Sequence, residues 1–434
     1  MRAFVLLVIM VVLVPMAFFA PFTGLLSFIA MAYTRPQEWA YASSAQYSLA
    51  IAAATIGGYF FFEMANHGLK LRYNILILLL ILQYTLATTL AFNPQFSQPK
   101  YTEFMKIFVI ALFITAMTDT EDRVRWVLMI SLGSIGVLTL RSMVGIIYSG
   151  GLRVYGPGGG YEDNNDYAIL LDTAFPMMFY FAQAQTHKWL KYRYYGFSFT
   201  TFVTILFTYS RGGFLGLCAA LLFMALKSRW KVPALLAVAL GGYLFFNYGP
   251  EGVRNRVGTI QTATTEDNSA QQRLRAWEVS MKIAAAHPFF GVGVRNILIV
   301  YGQYGDPADA RMAHNAYFQI LADCGVPALI FFLASLGLSY FRFARTKKIL
   351  EAHAPRSHLI KYAHGMQVGI CGYMASAFFA SKEDLELIYT IFALSGSCIY
   401  IAQQFQNESD LKKLVSKAEK QLVLKSPQPV AVEG

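Results

Sequence analysis

Apolar stretches of about 17 to 22 residues recur along the chain, separated by short polar connections, and that is the length a helix needs to span a bilayer. The clearest lie near 47–63, 73–92, 103–118, 126–148, 167–185, 195–210, 213–226, 232–247, 315–341, 365–380 and 387–403, eleven in all. Residues 3–34 are too long for one straight crossing and are broken by Pro15 and Pro21, so they form one kinked span or two short ones. One segment, about 248–313, is too polar to cross. Within it, near 270–286, "AQQRLRAWEVSMKIAAAHP" places Leu274, Trp277, Met281 and Ala285 on one helical stripe. Such a helix lies flat on a membrane or packs on the bundle.

Composition fixes the class. Of 434 residues, 56% are hydrophobic, 15% aromatic and 14% charged, whereas a soluble chain carries roughly a quarter as charges. An all-α polytopic membrane protein follows. The opening "MRAFVLLVIMVVLVPMAFFAP" imitates a signal peptide, but Phe18 stands where cleavage needs a small residue and Pro21 follows directly, so an uncleaved first span is expected. Cys218, Cys324, Cys371 and Cys398 lie in or beside apolar runs without metal-ligand spacing, so neither an outer disulfide framework nor a metal site is expected.

Charge orients the spans. Alternate connections holding "KLR", "RVR", "HKWLKYR", "KSRWK" and the 342–361 segment carry sixteen Lys and Arg; the short connections of the other set carry five, Arg35, Lys100, Arg153, Arg211 and Lys382. The first set is assigned to the cytoplasm, together with the C-terminal tail. With Met1 also inside, residues 3–34 count once and the total is about twelve helices. The net charge of +11 is then mostly a topology signal, not a nucleic-acid footprint. The expected organisation is a bundle over 1–247, one large periplasmic loop over 248–313, further spans over 314–403, and a basic tail over 404–434 that is mostly disordered.

Sorting ionisable groups by side isolates the chemistry. Of seven histidines, only His287 and His314 face outward on this topology. His287 closes the amphipathic helix, where the helix dipole favours it. His314 opens a membrane helix in "RMAHNAYFQILADCGVPALIFFL", beside Arg311 and Asn315; it is a hydrated interfacial residue or a general base. Arg211, in "FTYSRGGFLGL", either snorkels to water or grips phosphate at the membrane surface, with Gly212 and Gly213 forming a tight turn that a ligand can approach. Arg273, Arg275, Arg295 and Arg311 add an outward basic set suited to an anionic lipid-linked ligand.

Lys106, Arg141 and Asp172 are ionisable groups inside apolar spans, which makes them functional candidates. Arg141 and Asp172 have matching depths and are expected to pair or to line one cavity, in a functional or a purely structural role. In "RVYGPGGGYEDNNDYA", Asn164, Asn165 and Asp166 cap a helix or bind sugar hydroxyls; no P-loop lysine is present, and the calcium-loop pattern lacks its glycine and glutamate.

Taken in order, "YSRGG", "RLRAW…AAAHPFFGVG" and "HNAYFQILADCGVPALIFFL" resemble the O-antigen ligase superfamily of bacterial membrane glycosyltransferases, over roughly residues 150–340. "RPQEW" and "DNNDYA" look like the branch of exosortase-associated O-glycosylation ligases. The resemblance implies a twelve-helix, GT-C-like transferase of the bacterial inner membrane, monomeric, with its active site facing the periplasm. It would move glycan from undecaprenyl pyrophosphate to a lipid A–core sugar, without metal, cofactor or nucleotide sugar. Carried over by motif, the family's turn arginine is Arg211, its loop arginine Arg273 and its histidine His314. Rival readings are an O-antigen polymerase, a protein O-oligosaccharyltransferase, and a lipid-glycan flippase or transporter. A transporter concentrates polar groups near the bilayer middle; here they gather towards the outer face.

Overall fold

Apolar spans must satisfy their backbone groups internally, and the chain does so with helices. A computed structural model describes residues 2–36, 47–158, 161–248, 252, 254 and 268–425, and contains no strand among them. In chain order the helices are α1 (Arg2–Phe19), α2 (Pro21–Thr34), α3 (Tyr47–Gly58), α4 (Ile75–Thr89), α5 (Pro94–Met117), α6 (Glu121–Tyr148), α7 (Asn164–Ala184) and α8 (Lys188–Phe207). They continue with α9 (Arg211–Lys227), α10 (Lys231–Tyr248), α11 (Asn268–Ala286), α12 (Ile297–Tyr304), α13 (Ala316–His353), α14 (Leu359–Ser376) and α15 (Glu386–Lys425). By length and composition, α6, α13 and residues 386–416 of α15 are long and apolar enough to cross a membrane. α7 is the central helix, buried on nearly every face against α8, α9 and α14.

Two expectations need correction. Residues 3–34, left open between one kinked span and two short ones but counted once, form two helices. Pro21 disfavours a helical conformation at Ala20, and the chain breaks there at φ −129°, ψ 76°. A Cβ placed on Gly24 would lie 2.7 Å from that of Ala17, whereas seven residues along one straight helix span about 10.5 Å. α1 and α2 therefore fold back on each other.

α11 packs by one face and leaves its apolar stripe largely outside: Leu274 and Met281 are about half exposed, while Ala276, Val279, Ser280 and Ile283 are buried. The packed face is the neighbouring one; of the expected stripe, Trp277 alone reaches the bundle, donating from Nε1 to Ala313 O at 2.9 Å and stacking on Phe318. The second correction is that α15 stays helical to Lys425, so residues 404–425 are not a disordered tail. Residues 426–434 lie outside the described residues.

The connections assigned to the cytoplasm come together at one end of the bundle, through Arg123–Glu63, His67–Asp119 and Glu121 with Ser357. At the opposite end, α13 is broken at Gly325 (φ 79°), two residues before Pro327. The backbone groups freed there are met by the "HPFFGVG" loop: Val326 N donates to Pro288 O (2.8 Å), Val292 N to Ala322 O (3.0 Å) and Gly293 N to Asp323 O (2.9 Å). Gln83 of α4 donates to Phe289 O and Cys324 O. This plug fixes α11 relative to α13.

Candidate active site

Three helix N-termini meet at the end of the bundle where α13 breaks. α7 is capped by Asp163, which accepts from Asn165 N at 2.7 Å; α9 by Ser210, from Gly213 N at 3.0 Å; α13 by Asn315, from Tyr317 N at 2.9 Å. Ser210 Oγ donates to Asn165 Oδ1 at 2.8 Å, which ties α9 to α7. Ala316 N donates to Ala377 O at 2.9 Å, and Gly212 packs against Phe379, so α9 and α13 both touch the turn that follows α14. Unsatisfied N–H groups and helix dipoles make such a junction favourable for anions.

Arg211 is the first residue of α9 and is 8% exposed. The turn before it is made by Tyr209, at φ 54°, rather than by the glycines. Gly212 and Gly213 are needed for a different reason than close ligand approach. A Cβ on Gly213 would stand 2.5 Å from that of Ala168, one on Gly212 would strike Phe379, and one on Gly216 would strike Asp172. They let α9 enter the bundle against α7, which holds the Arg211 backbone rigid.

His314 has φ 46°, a left-handed conformation that costs an ordinary residue on the order of 1 kcal/mol. Its neighbours impose it. Ala313 N donates to Gln319 Oε1 (3.0 Å), Trp277 grips Ala313 O, and Asn315 is committed to its cap. The ring is exposed at the surface of this junction. Partial removal of water from around it, and then the cationic charge of Arg273 and Arg311, hold its pKa below the ordinary 6.5, with Asp163 opposing. His314 is thus neutral near pH 7, with a lone pair to accept a proton. Arg273, one turn ahead of Trp277 on α11, is the arginine that acts most strongly on it.

The other sequence candidates divide. Asn165 and Asp166 sit in the first turn of α7, Asp166 within the field of Lys382 and Asp384. Arg275 and Arg311 are engaged by Asp309, at 2.7 Å and 3.5 Å, and Arg311 also bonds Gln272, so they tie the 307–311 turn to α11. Arg295 (φ 61°) donates from its backbone N to Asp323 Oδ2. The expected Arg141–Asp172 pair is not formed. Asp172 is fully buried beside Gly216 with no hydrogen-bond partner for either oxygen, and Arg141 is exposed on α6. His287, bonded to Tyr304 Oη at 3.0 Å and edge-on to Phe92, is structural.

One cluster was missed in the sequence. "SKEDLE" (381–386) reads as a solvated connection but turns inward: Lys382, Glu383 and Asp384 are each under 10% exposed. Lys382 bonds Asp384 at 2.9 Å and lies 4.9 Å from the Tyr161 ring centre; Lys100 bonds Asp384 and Glu103. Burial works against the Asp384 charge, but the two lysines outweigh it and hold its carboxyl below the usual range. Burial and the Asp384 charge push Glu383 up. The available signal was charge density: four ionisable residues in six between two apolar runs.

Residues 1–172 match a family of unknown function (DUF5935), and no curated protein shows a significant match to the chain. Residues 196–333 match the O-antigen ligase family. That segment runs from within α8 past the break in α13 and holds Arg211, Arg273 and His314; the match supports the O-antigen ligase superfamily.

Proposed function

We propose that the protein is a GT-C-like, inverting glycosyltransferase of the bacterial inner membrane. It transfers O-antigen from undecaprenyl pyrophosphate to a lipid A–core sugar at the periplasmic face. The observation that carries this reading is the junction of three helix N-termini, one of them opened by Arg211, with a strained, neutral His314 in the field of Arg273. His314 accepts the proton of the acceptor hydroxyl as its oxygen attacks the anomeric carbon. The bond from that carbon to the pyrophosphate breaks on the opposite face, and the leaving group keeps the electron pair. Arg211 and Arg273 stabilise the negative charge that develops on it. Asn165 and Asp166 face the sugar. On this reading the α1–α2 hairpin counts as two traverses, thirteen in all, with Arg2 on the outer side and the carboxyl end in the cytoplasm.

The test is transfer by the purified full chain, as a monomer in detergent, supplied with lipid-linked glycan and lipid A–core. Glycan appearing on the core is the expected product. Lengthening of the glycan on its own lipid carrier would replace this reading by a polymerase, and transfer to a polypeptide by a protein ligase.

Acidity gives a second outcome. The base works only when neutral, so kcat/KM falls as pH drops through the His314 pKa, on a limb lying below the ordinary value of about 6.5. Arg273→Gln removes a cation that depresses this pKa, so its limb moves to higher pH. The shift is partial, because loss of water around the ring is the larger cause. A pH profile of Arg273→Gln with its limb unmoved would separate Arg273 from the base.

A further inference from the structure

A cavity of about 790 Å³ lies between α7, α9, α10 and α14, at the end of the bundle away from His314. α9 starts with Arg211 at the junction and reaches Lys227, in the cavity wall, about 24 Å further on. The same end bonds Glu121 to Ser357, just before α14 begins, and its basic connections assign it to the cytoplasm. Three cations line the cavity, Lys227, Arg229 and Lys361, together with His364, and no carboxylate does. By contrast, the cavity between α2, α3, α5 and α15 sets Lys106 and four other cations against three carboxylates. No ion pair engages Lys227, Arg229 or Lys361 among the described residues; Lys227 donates to Gln367 Oε1 at 3.2 Å and lies 4.8 Å from the Tyr340 ring centre. Lys347 adds a further positive charge, which acts with those of Lys227 and Lys361 on His364. His364 stacks on Tyr180, and its Nε2 is buried without a hydrogen-bond partner among the described residues. A positive-inside bias accounts for basic residues in water, but not for unpaired cations gathered around one cavity. Such charges repel one another until an anion joins them.

We propose that this cavity binds an anionic membrane phospholipid, its phosphate held by Lys227, Arg229 and Lys361 and the upper part of its chains lying on the apolar wall. Two observations select a lipid over a soluble phosphate. Leu221, Met224, Ala234 and Val238 make one side of the cavity apolar, and the space holds on the order of 25 groups of water size at about 30 Å³ each, far more than a phosphate ion fills. α10 packs on α9 and turns Val232, Leu236, Leu240 and Leu244 outward, so that side stands at the lipid boundary. Exposed Trp230 marks the level at which aromatic rings favour the membrane surface. A basic pocket between spans on the cytoplasmic side suits such a head. Seated there, the lipid ties α10 and α14 to the end of α9 opposite Arg211. Neither the site nor its test depends on the transferase reading.

The test measures lipid binding to the purified full chain by native mass spectrometry, using phosphatidylglycerol, phosphatidylethanolamine of the same acyl composition, and inorganic phosphate as competitor. Phosphatidylglycerol is expected to bind at least tenfold more tightly than phosphatidylethanolamine and to stay bound in excess phosphate. Lys227→Gln/Lys361→Gln removes two of the cations; Ala237→Trp fills the apolar side from an exposed wall position without altering charge. Each is expected to weaken phosphatidylglycerol about tenfold at unchanged melting temperature. Lys412→Gln/Lys413→Gln, on the exposed part of α15, removes as much charge and is expected to change nothing. Equal binding of the two lipids, displacement by phosphate, either cavity variant binding as wild type does, or an equal loss in the α15 variant overturns the proposal.

Discussion

Replacing His314 by asparagine is expected to lower the rate constant for glycan transfer by about 10²–10⁴, the range that a positioned acid–base group contributes. The donor KM is expected to stay close to that of the wild type. Asparagine is the informative substitution because the residue sits at φ 46°, a conformation asparagine tolerates better than most residues, so backbone strain is nearly preserved while the proton acceptor is lost. His314→Ala should lose at least as much activity, with a further cost of about 1 kcal/mol in stability from the same backbone geometry. The ring is exposed and outside the core, so neither change empties a packed cavity. Single-turnover transfer with saturating donor and acceptor reads the chemical step directly. Activity of His314→Asn within a few-fold of wild type would remove His314 from the reaction.

What the sequence could and could not carry follows from the kind of information each feature holds. Arg273 and His314 lie forty-one residues apart, yet the structure makes them electrostatic neighbours, because the "HPFFGVG" plug and Trp277 bind α11 to the break in α13. The motif was visible as letters; its role as a plug was not, since that depends on which backbone groups Gly325 and Pro327 leave free. Arg141 and Asp172 show the opposite failure. Residue counts give them matching depths, but helical residues also turn by about 100° each, and depth alone says nothing of direction. Asp172 points at α9 and α14, and Arg141 points outward. For α11 the small residues Ala276 and Ser280 permit close packing on the bundle, whereas Leu274 and Met281 of the apolar stripe are left on the outside. Lys382 and Asp384 were hidden because a run of charges between spans normally faces water. Here each charge is neutralised by another, which makes the inward fold affordable.

Arg211→Lys is expected to reduce kcat/KM by about 10²-fold, or roughly 2.7 kcal/mol of transition-state stabilisation. The substitution keeps the charge and much of the stem, so the loss reports geometry. Arg211 is 8% exposed, begins a helix whose first turn is fixed by Ser210 and packed through Gly212 and Gly213, and so presents its guanidinium in one orientation. A planar fork holds two phosphate oxygens at once; an ammonium is a point charge that cannot. The corresponding change at Arg273, on a helix less deeply set and with a partly exposed side chain, is expected to cost less. Coupling separates one site from two. If Arg211 and His314 act on the same departing and attacking atoms, the Arg211→Lys/His314→Asn double variant loses less than the product of the single losses, because each single change already disables the shared transition state. Strictly multiplicative losses would place the two residues in independent steps, and the junction of helix N-termini would then be no single active site.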